Sequence, residues 1–191
     1  MIPKIIHYCW FGKKEMPDKV QKCILSWKSI LHDYEFKLWN EENFDINEIP
    51  YTKAAYDAGK YAYVSDYVRC KVMYEYGGIY LDTDIEVFKP FDDLLALPYV
   101  FKFKGAFPID DGFSMAEKNH PVFKHVIDTF KNTEYSEKPL LIRFLDDAGR
   151  KKELYMIFSI SQFKTDSNYY SFIGNYFEGI YFTHYELNSW K

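Results

Sequence analysis

Cysteine is scarce in this 191-residue sequence, and its three copies, Cys9, Cys23 and Cys70, lie far apart without any Cys-x-x-Cys pair. That spacing argues against a disulfide framework or a structural zinc site, and it favours reduced thiols in a cytoplasmic protein. Long apolar runs are also missing, because no stretch approaches the roughly 18 residues that a membrane-spanning helix requires. The N-terminal segment MIPKIIHYCWFGKK has no small-residue cleavage site, so we do not expect it to be a signal peptide. We therefore expect a cytoplasmic chain without a transmembrane segment.

A concentration of positive charge is the third absence. The sequence has 24 basic and 28 acidic residues, a net charge of −4, and no polybasic run. Proteins that neutralise nucleic-acid phosphates carry a basic patch, so we do not expect nucleic-acid binding. Aromatic residues, in contrast, make up 20% of the chain, with 18 Tyr and 17 Phe. Most of these rings should fill a core, and some could serve as flat platforms for a sugar or a base.

The order of predicted elements indicates an α/β fold in a single domain of residues 1–191. PKIIHYCWFG and YEFKLWN have the composition of strands, and a helix with apolar residues at helical spacing separates them. Two more helices follow, and the second runs from about Lys60 to Tyr76 before the pair Gly77-Gly78 stops it. We then predict strands in IYLD, IEVF and YVFKFKGAF, helices in SMAEKNHPVFKHVIDTFKN and LLIRFLDDAG, and a late strand in YFEGIYFTHY. The β-α-β-α-α-β order of the first half predicts a mainly parallel sheet flanked by helices.

Two aspartates follow the apolar run GGIYL, one residue apart, with a third acid close behind. Asp82 and Asp84 point to the same side of an extended segment, and Glu86 continues the alternation. Ligands of open α/β sheets bind at the carboxyl ends of strands, where this pair is expected. Mg²⁺ and Mn²⁺ prefer carboxylate oxygens, so the pair is a candidate cation site, with solvated turn residues as the alternative.

A second pair of charged residues lies on the helix before these aspartates. Asp66 and Arg69 are three residues apart, which makes them neighbours on one helical face. An exposed ion pair of this kind contributes little to stability. Because apolar residues crowd the helix, the pair could instead be buried, with the carboxylate accepting from a ribose hydroxyl and the guanidinium reaching a phosphate.

Three segments together resemble a known family. IPKIIHYCWFG, KYAYVSDYVRCKVMYEYGGIYLDTDIEV and the terminal FTHYELNSW are similar to the DXD-motif glycosyltransferases with a sugar-binding region, a family of bacterial capsular and lipopolysaccharide transferases and fungal initiating mannosyltransferases. The glucosylating clostridial toxins are distantly similar. The resemblance implies a GT-A (Rossmann-like) nucleotide-diphospho-sugar transferase fold. Residues 1–95 would form its nucleotide-sugar-binding half, and residues 96–191 the acceptor-side half with a closing tail.

The resemblance also implies an activity and its partners. The chain would be a metal-dependent hexosyltransferase that retains configuration at the anomeric carbon. It would use Mn²⁺ or Mg²⁺, a UDP- or GDP-linked sugar as donor, and a surface polysaccharide, lipopolysaccharide, other glycan or glycolipid as acceptor. Such an acceptor would bring the chain into peripheral contact with the inner face of the cytoplasmic membrane.

The family motifs assign the donor and metal residues by position. Asp84 would bind the metal, and Asp82 would touch the metal, ribose or sugar. Trp10 would stack on the base, and Tyr8 with His7 would offer backbone contacts from the first strand. Asp66 and Arg69 of the S-D-x-x-R motif would make polar contacts with the donor. His7 and Tyr8 could equally be strand core.

The closing motif and an Asp-Asp-Gly segment supply the remaining candidates. His184 and Ser189 would assist the metal, and Trp190 would cover the diphosphate from the tail. Asp111, next to Asp110, would orient the donor sugar or stabilise its cationic transition state, unless the segment is only a turn. No carboxylate stands out as a nucleophile, so a same-face substitution is the preferred mechanism.

Two other functions fit parts of the sequence. A metal-dependent phosphoesterase or nuclease also clusters carboxylates, but it would want more ligands than this chain, with five His, provides in any motif. A catalytically silent nucleotide- or sugar-binding relative is the second alternative. The stretch between AEKNHP and FTHYELNSW is short and lacks the expected family features, which leaves the acceptor undefined.

Overall fold

The structure is a computed structural model that describes residues 1–101, 112–136, 181–185 and 187. Seven strands and four α-helices are defined there: β1 (Ile5–Cys9), α1 (Asp18–Ile30), β2 (Glu35–Trp39), α2 (Pro50–Asp57), α3 (Tyr61–Tyr76), β3 (Gly78–Leu81), β4 (Ile85–Val87), β5 (Tyr99–Phe101), β6 (Phe113–Ala116), α4 (Pro121–Lys131) and β7 (Phe182–His184). A single 3₁₀ turn, Asp92–Leu94, precedes β5. No helix within these residues is long and apolar enough to cross a membrane.

A five-stranded sheet in the order β2-β1-β3-β6-β5 forms the centre of the fold. β1 pairs in parallel with both β2 and β3, whereas β6 runs antiparallel to β3 and to β5. Four of the five strands therefore share one direction, and β6 is reversed. A separate two-stranded sheet pairs β4 with β7 in antiparallel register. The predicted mainly parallel α/β architecture is confirmed.

Two apolar clusters cover the two faces of the sheet, because side chains alternate along each strand. In β3, Ile79 and Leu81 belong to one cluster, with α1 and β4, while Tyr80 belongs to the other, with α2, α3 and α4. Trp27 of α1 is fully buried in the first cluster, and its indole Nε1 donates a hydrogen bond of 2.6 Å to the carbonyl of Ile85. That bond fixes β4, and with it the turn that carries the two aspartates.

The long helix α3 ends where its sequence indicates. Gly77 follows the last helical residue with φ of +66°, a conformation that residues with a Cβ rarely adopt. A Cβ at Gly77 would lie 2.5 Å from the backbone nitrogen of Lys118, so close packing excludes a side chain as well. Because the chain turns this tightly, β3 begins immediately and runs back through the core.

One predicted element is partly wrong. The segment from Ser114 to Ala116 was expected to be helical, but it forms β6 and pairs with β3. Buried on all of its residues, this strand completes the sheet, and α4 begins only at Pro121, after His120 in an extended conformation. Proline favours the first helical turn and keeps its predecessor extended, which explains the boundary. The helix predicted in LLIRFLDDAG lies outside the described residues.

Candidate functional site

The two aspartates occupy a tight turn between β3 and β4. The amide of Ile85 donates to the carbonyl of Asp82 at 3.1 Å, and the amide of Asp82 donates to the carbonyl of Gly112 at 2.7 Å. Asp84 is only 7% exposed, an unusual burial for a carboxylate. The sequence therefore places Asp82 and Asp84 correctly at the carboxyl end of a buried strand, but the alternative of solvated turn residues does not describe Asp84.

Strand β7 brings a histidine from the far end of the sequence to this turn. His184 pairs in register with Ile85, so its side chain lies directly beside Asp84. The imidazole Nε2 is 3.2 Å from Asp84 Oδ1 and 4.0 Å from Asp82 Oδ2, and the side chain is 8% exposed. The predicted partnership of His184 with the aspartate pair is therefore present in the fold.

The backbone that follows His184 also engages Asp84. The amide of Tyr185 donates to the Asp84 carbonyl at 3.1 Å, and the amide of Leu187 donates to Asp84 Oδ2 at 2.7 Å. Burial alone would raise the pKa of the Asp84 carboxyl, but His184 and the Leu187 amide outweigh burial and hold that pKa below its ordinary value. Asp84 is therefore an ionised carboxylate around neutral pH.

The chemistry of this cluster suits a divalent cation. One ligand atom from each of Asp82, Asp84 and His184 lies within 4.8 Å of the others. Two carboxylates and an imidazole are ligands that Mn²⁺ and related ions accept, and the burial of Asp84 and His184 limits competition from water. The donor set therefore fits the predicted metal, and the three residues would hold it.

A buried ion-pair network adjoins the cluster. Arg69 Nη2 is 3.1 Å from Asp66 Oδ1 and 3.4 Å from Asp82 Oδ1, with the Asp66 and Arg69 side chains 13% and 12% exposed. Burial alone would lower the pKa of the guanidinium, but the charges of Asp82 and Asp66 outweigh it, so this pKa lies well above its ordinary value. The alternative of an exposed surface pair is wrong, since both side chains are largely buried.

Sequence reasoning missed two contributors to the geometry of Asp82. Tyr80 donates its hydroxyl to Asp82 Oδ1 at 3.1 Å, and its ring lies 4.8 Å below the Arg69 guanidinium. A Cβ on Gly112 would lie 2.3 Å from Asp82 Oδ2, and Gly112 has φ of +67°. The Asp-Asp-Gly triplet was a turn signal in the sequence, but nothing local indicated that its glycine packs against Asp82.

The first strand places its predicted donor residues in three different environments. Trp10 is half-buried at the carboxyl end of β1, and its indole Nε1 donates to the Lys14 carbonyl at 2.7 Å. The Tyr8 ring is 9% exposed and packs edge-on against Trp27, so it belongs to the core. His7 is fully buried. Base stacking on Trp10 and backbone contacts from Tyr8 stay predictions.

The buried His7 ring has both of its nitrogens engaged. Nε2 lies 2.9 Å from the carbonyl of Gly77, and Nδ1 accepts a hydrogen bond of 3.1 Å from the Trp39 indole. Nδ1 can accept only if it carries no proton, so the ring is neutral with its proton on Nε2. Burial lowers the pKa of His7 to about 4. His7 is therefore a structural residue that joins β1 to the end of α3.

The other predicted site residues lie outside the described part of the chain. These are Asp111, with its neighbour Asp110, and the tail residues Ser189 and Trp190. Their assignment to the donor sugar, the metal and the diphosphate stays a prediction.

Comparisons with known proteins show that this chain is similar to glycosyltransferases. Residues 17–101 match the family described as a glycosyltransferase sugar-binding region containing a DXD motif. Inositol phosphoceramide mannosyltransferase 3 of Schizosaccharomyces pombe is 30% identical over 165 residues, which cover 78% of this chain and 46% of the relative. An uncharacterized glycosyltransferase of Acanthamoeba polyphaga mimivirus is 33% identical over 142 residues, or 69% of this chain and 55% of that protein. The chain thus spans about half the length of these relatives.

A solved structure shows the same fold. The PaToxG glycosyltransferase superposes with a TM-score of 0.50 at 20% identity, covering 66% of this chain and 58% of the other. The fold is of the GT-A type, as predicted. With the Asp-x-Asp pair of residues 82–84 inside the matched region, the chain is similar to the family of glycosyltransferases that have a DXD-containing sugar-binding region.

Proposed function

We propose that the chain is a metal-dependent glycosyltransferase that moves a hexose from a nucleotide-sugar donor to a hydroxyl of a glycan or glycolipid. The observation that carries the proposal is the convergence of Asp82, Asp84 and His184 within 4.8 Å at the end of β3. The buried Asp66–Arg69 pair beside it adds hydrogen-bonding groups of both charges. Together they offer a cation site and polar contacts for a sugar diphosphate at the edge of the sheet where α/β proteins bind ligands.

Asp82, Asp84 and His184 would hold the metal. Mg²⁺ favours an all-oxygen shell, whereas Mn²⁺ accepts an imidazole nitrogen, so the presence of His184 favours Mn²⁺. When bound, the metal would supply positive charge to a leaving diphosphate as the glycosyl bond breaks.

The protein residues would orient the donor around that charge. Asp66 would accept hydrogen bonds from ribose or sugar hydroxyls, while the ion pairs with Arg69 hold Asp66 and Asp82 in place. Half-buried Trp10 would stack on the base. We propose retention of the anomeric configuration by substitution on the same face, with Asp111 near the donor sugar.

The names of the relatives bear on sugar and acceptor. Three Schizosaccharomyces pombe relatives are named inositol phosphoceramide mannosyltransferases. We therefore favour mannose as the transferred sugar and a glycolipid headgroup as acceptor over a capsular or lipopolysaccharide glycan. A lipid acceptor would require peripheral contact with a membrane, and we propose the cytoplasmic face.

Thermal unfolding with a panel of nucleotide-sugars tests the donor site. A ligand that binds only the folded protein raises its melting temperature by mass action, so GDP-mannose with Mn²⁺ should raise it by several degrees. Asp84→Asn should abolish that shift, whereas Asp57→Asn, a change in an exposed ion pair on α2, should preserve it.

Two results would contradict the proposal. One is the absence of a shift with any UDP- or GDP-sugar, with or without Mn²⁺. The other is a shift of equal size without metal and in Asp84→Asn. A shift with a UDP-sugar alone would keep the transferase and change its donor. Sugar release from that donor, measured with and without Mn²⁺, would then separate an enzyme from a silent binding protein.

A further inference from the structure

We propose that Tyr185, Glu86 and Lys19 form a latch that positions His184 against the Asp82–Asp84 pair. The latch rests on the proposed function, because it acts through His184 as a metal ligand. The Tyr185 amide also donates to the Asp84 backbone carbonyl, but the three side chains of the latch act through His184 and are positioning residues. The inference follows from how the two ends of β7 are held.

The latch closes over the residue next to His184. The Tyr185 hydroxyl donates a hydrogen bond to Glu86 Oε2, and the ammonium of Lys19 lies 3.4 Å from the centre of the Tyr185 ring. Glu86 belongs to β4, and Lys19 lies in the first turn of α1. Tyr185 is therefore tied to helix α1 and to β4, the strand that Trp27 of α1 also holds.

The physical interactions in the latch are individually strong. A phenol that donates to a carboxylate forms a charge-assisted hydrogen bond, which is stronger than a neutral one. A cation over the face of a tyrosine ring is attracted by the ring quadrupole. Because Lys19 lies over the ring and Glu86 accepts from the hydroxyl, both contacts stabilise the same position of Tyr185.

The far end of β7 is held in a different way. Phe182 is fully buried and lies 4.6 Å from Phe113 between ring centres, while Tyr181 stacks on Phe91 at 6.1 Å. Apolar burial is enough to fix that end. Thr183 and Tyr185, on either side of His184, are only half-buried, so the end that carries the metal ligand depends on polar contacts.

The consequence concerns metal affinity. If the Tyr185 end of β7 detaches for part of the time, His184 leaves Asp84 while both carboxylates remain in their turn. The metal then loses its nitrogen ligand but keeps two oxygen ligands. Loss of one charge-assisted hydrogen bond shifts such an equilibrium by roughly tenfold or more. We therefore expect weaker Mn²⁺ binding, with little change in the global fold.

Tyr185→Phe tests the latch, because it removes the hydroxyl and keeps the ring. Titration of Mn²⁺ alone, followed by electron paramagnetic resonance of the free ion, should show a Kd about tenfold higher than in the wild type. Amide hydrogen exchange at residues 183–185 should be faster. Glu86→Gln retains an acceptor oxygen and should give an intermediate Kd, which serves as a conservative rescue.

Tyr181→Phe is the matched control on the same tail. The Tyr181 hydroxyl donates to Asp93 Oδ2 at 2.8 Å and accepts from Lys89 at 3.0 Å, so it is also a tyrosine between a carboxylate and a lysine. Apolar packing secures this end, so the control should leave the Mn²⁺ Kd within about twofold of the wild type.

A double variant separates positioning from general stabilisation. In His184→Ala, the ligand is already absent, so adding Tyr185→Phe should not weaken Mn²⁺ binding further. An equal loss in both backgrounds would overturn the latch, as would an unchanged Kd in Tyr185→Phe. If the wild type itself does not bind Mn²⁺, the proposed metal site fails. Amide hydrogen exchange at residues 183–185 then decides separately whether Tyr185 holds β7 in place. Unchanged protection of these amides in Tyr185→Phe would overturn the latch as well.

Discussion

Replacement of Arg69 by methionine should destabilise the protein by about 3–5 kcal/mol, the typical cost of removing one partner from a buried ion pair. The guanidinium lies 3.1 Å from Asp66 and 3.4 Å from Asp82. At an effective dielectric constant of about 20, each contact contributes a gross attraction of about 5 kcal/mol, most of which offsets the cost of removing the ions from water. Without Arg69, the carboxylates of Asp66 and Asp82 both lose the charge of the guanidinium.

Urea unfolding of the ligand-free protein measures this cost. The origin of the lost stability is tested by combining Arg69→Met with Asp66→Asn, which removes one of the two carboxylate charges that Arg69 contacts. The double variant should be more stable than the sum of the two single effects predicts, by about 1–3 kcal/mol. Lys53→Met is the control, because the Lys53–Asp57 pair has the same kind of helical spacing but side chains 55% and 60% exposed. It should cost less than about 1 kcal/mol.

Additivity would refute this reasoning. If the stability effects of Arg69→Met and Asp66→Asn add to within about 0.5 kcal/mol, the lost stability comes from packing around the methionine and not from the lost ion pairs. A loss in Arg69→Met no larger than in the surface control would show that the network contributes little despite its burial.

Three further predictions concern the neighbourhood of the site. Gly112→Ala should destabilise the protein by about 1–3 kcal/mol and weaken Mn²⁺ binding by displacing Asp82. Gly59 has φ of +70° but open space where a Cβ would lie, so the control Gly59→Ala should lower stability without changing Mn²⁺ affinity. Equal Mn²⁺ affinity in both variants would contradict the close contact between Gly112 and Asp82. His7 has a pKa of about 4 in the folded chain, below the unfolded value of about 6.5, so the free energy of unfolding should fall by about 3 kcal/mol as the pH drops from about 6.5 to about 4. Urea unfolding over a pH series should show that His7→Gln loses this pH dependence. If the pH dependence persists in His7→Gln, it arises from another titrating group. Trp27→Phe leaves a buried carbonyl of β4 without its donor and should cost about 1–3 kcal/mol in urea unfolding, while an unchanged stability would indicate that the bond is dispensable.

Local pattern predicted the elements that depend on local rules. Helix α3 begins and ends within one residue of its expected limits, because apolar spacing and Gly77 specify it. The same spacing placed Asp66 and Arg69 on one face. The alternation expected of an extended chain does not hold at Asp82 and Asp84, because a tight turn between β3 and β4 brings these carboxylates together. The order of the elements predicted a mainly parallel sheet, and the observed sheet confirms it.

The error in Ser114–Ala116 marks the limit of such rules. Four residues of small and apolar character, Phe113–Ala116, fit a helix or a strand, and pairing with β3 decided between them. Likewise, the sequence allowed His7 to be strand core, but it did not indicate that its ring would lie between the Gly77 carbonyl and the Trp39 indole.

By itself, the sequence carried the family resemblance in its motifs. It also determined the fold class and which residues carry charge at the end of β3, since helical and strand periodicities act over a few residues. Only the tertiary structure decided that His184 meets Asp84, that Gly112 packs against Asp82, and that Tyr185 is tied to Glu86. Each of these contacts joins residues distant in the chain, so it depends on the register of paired strands and on the order of strands in the sheet.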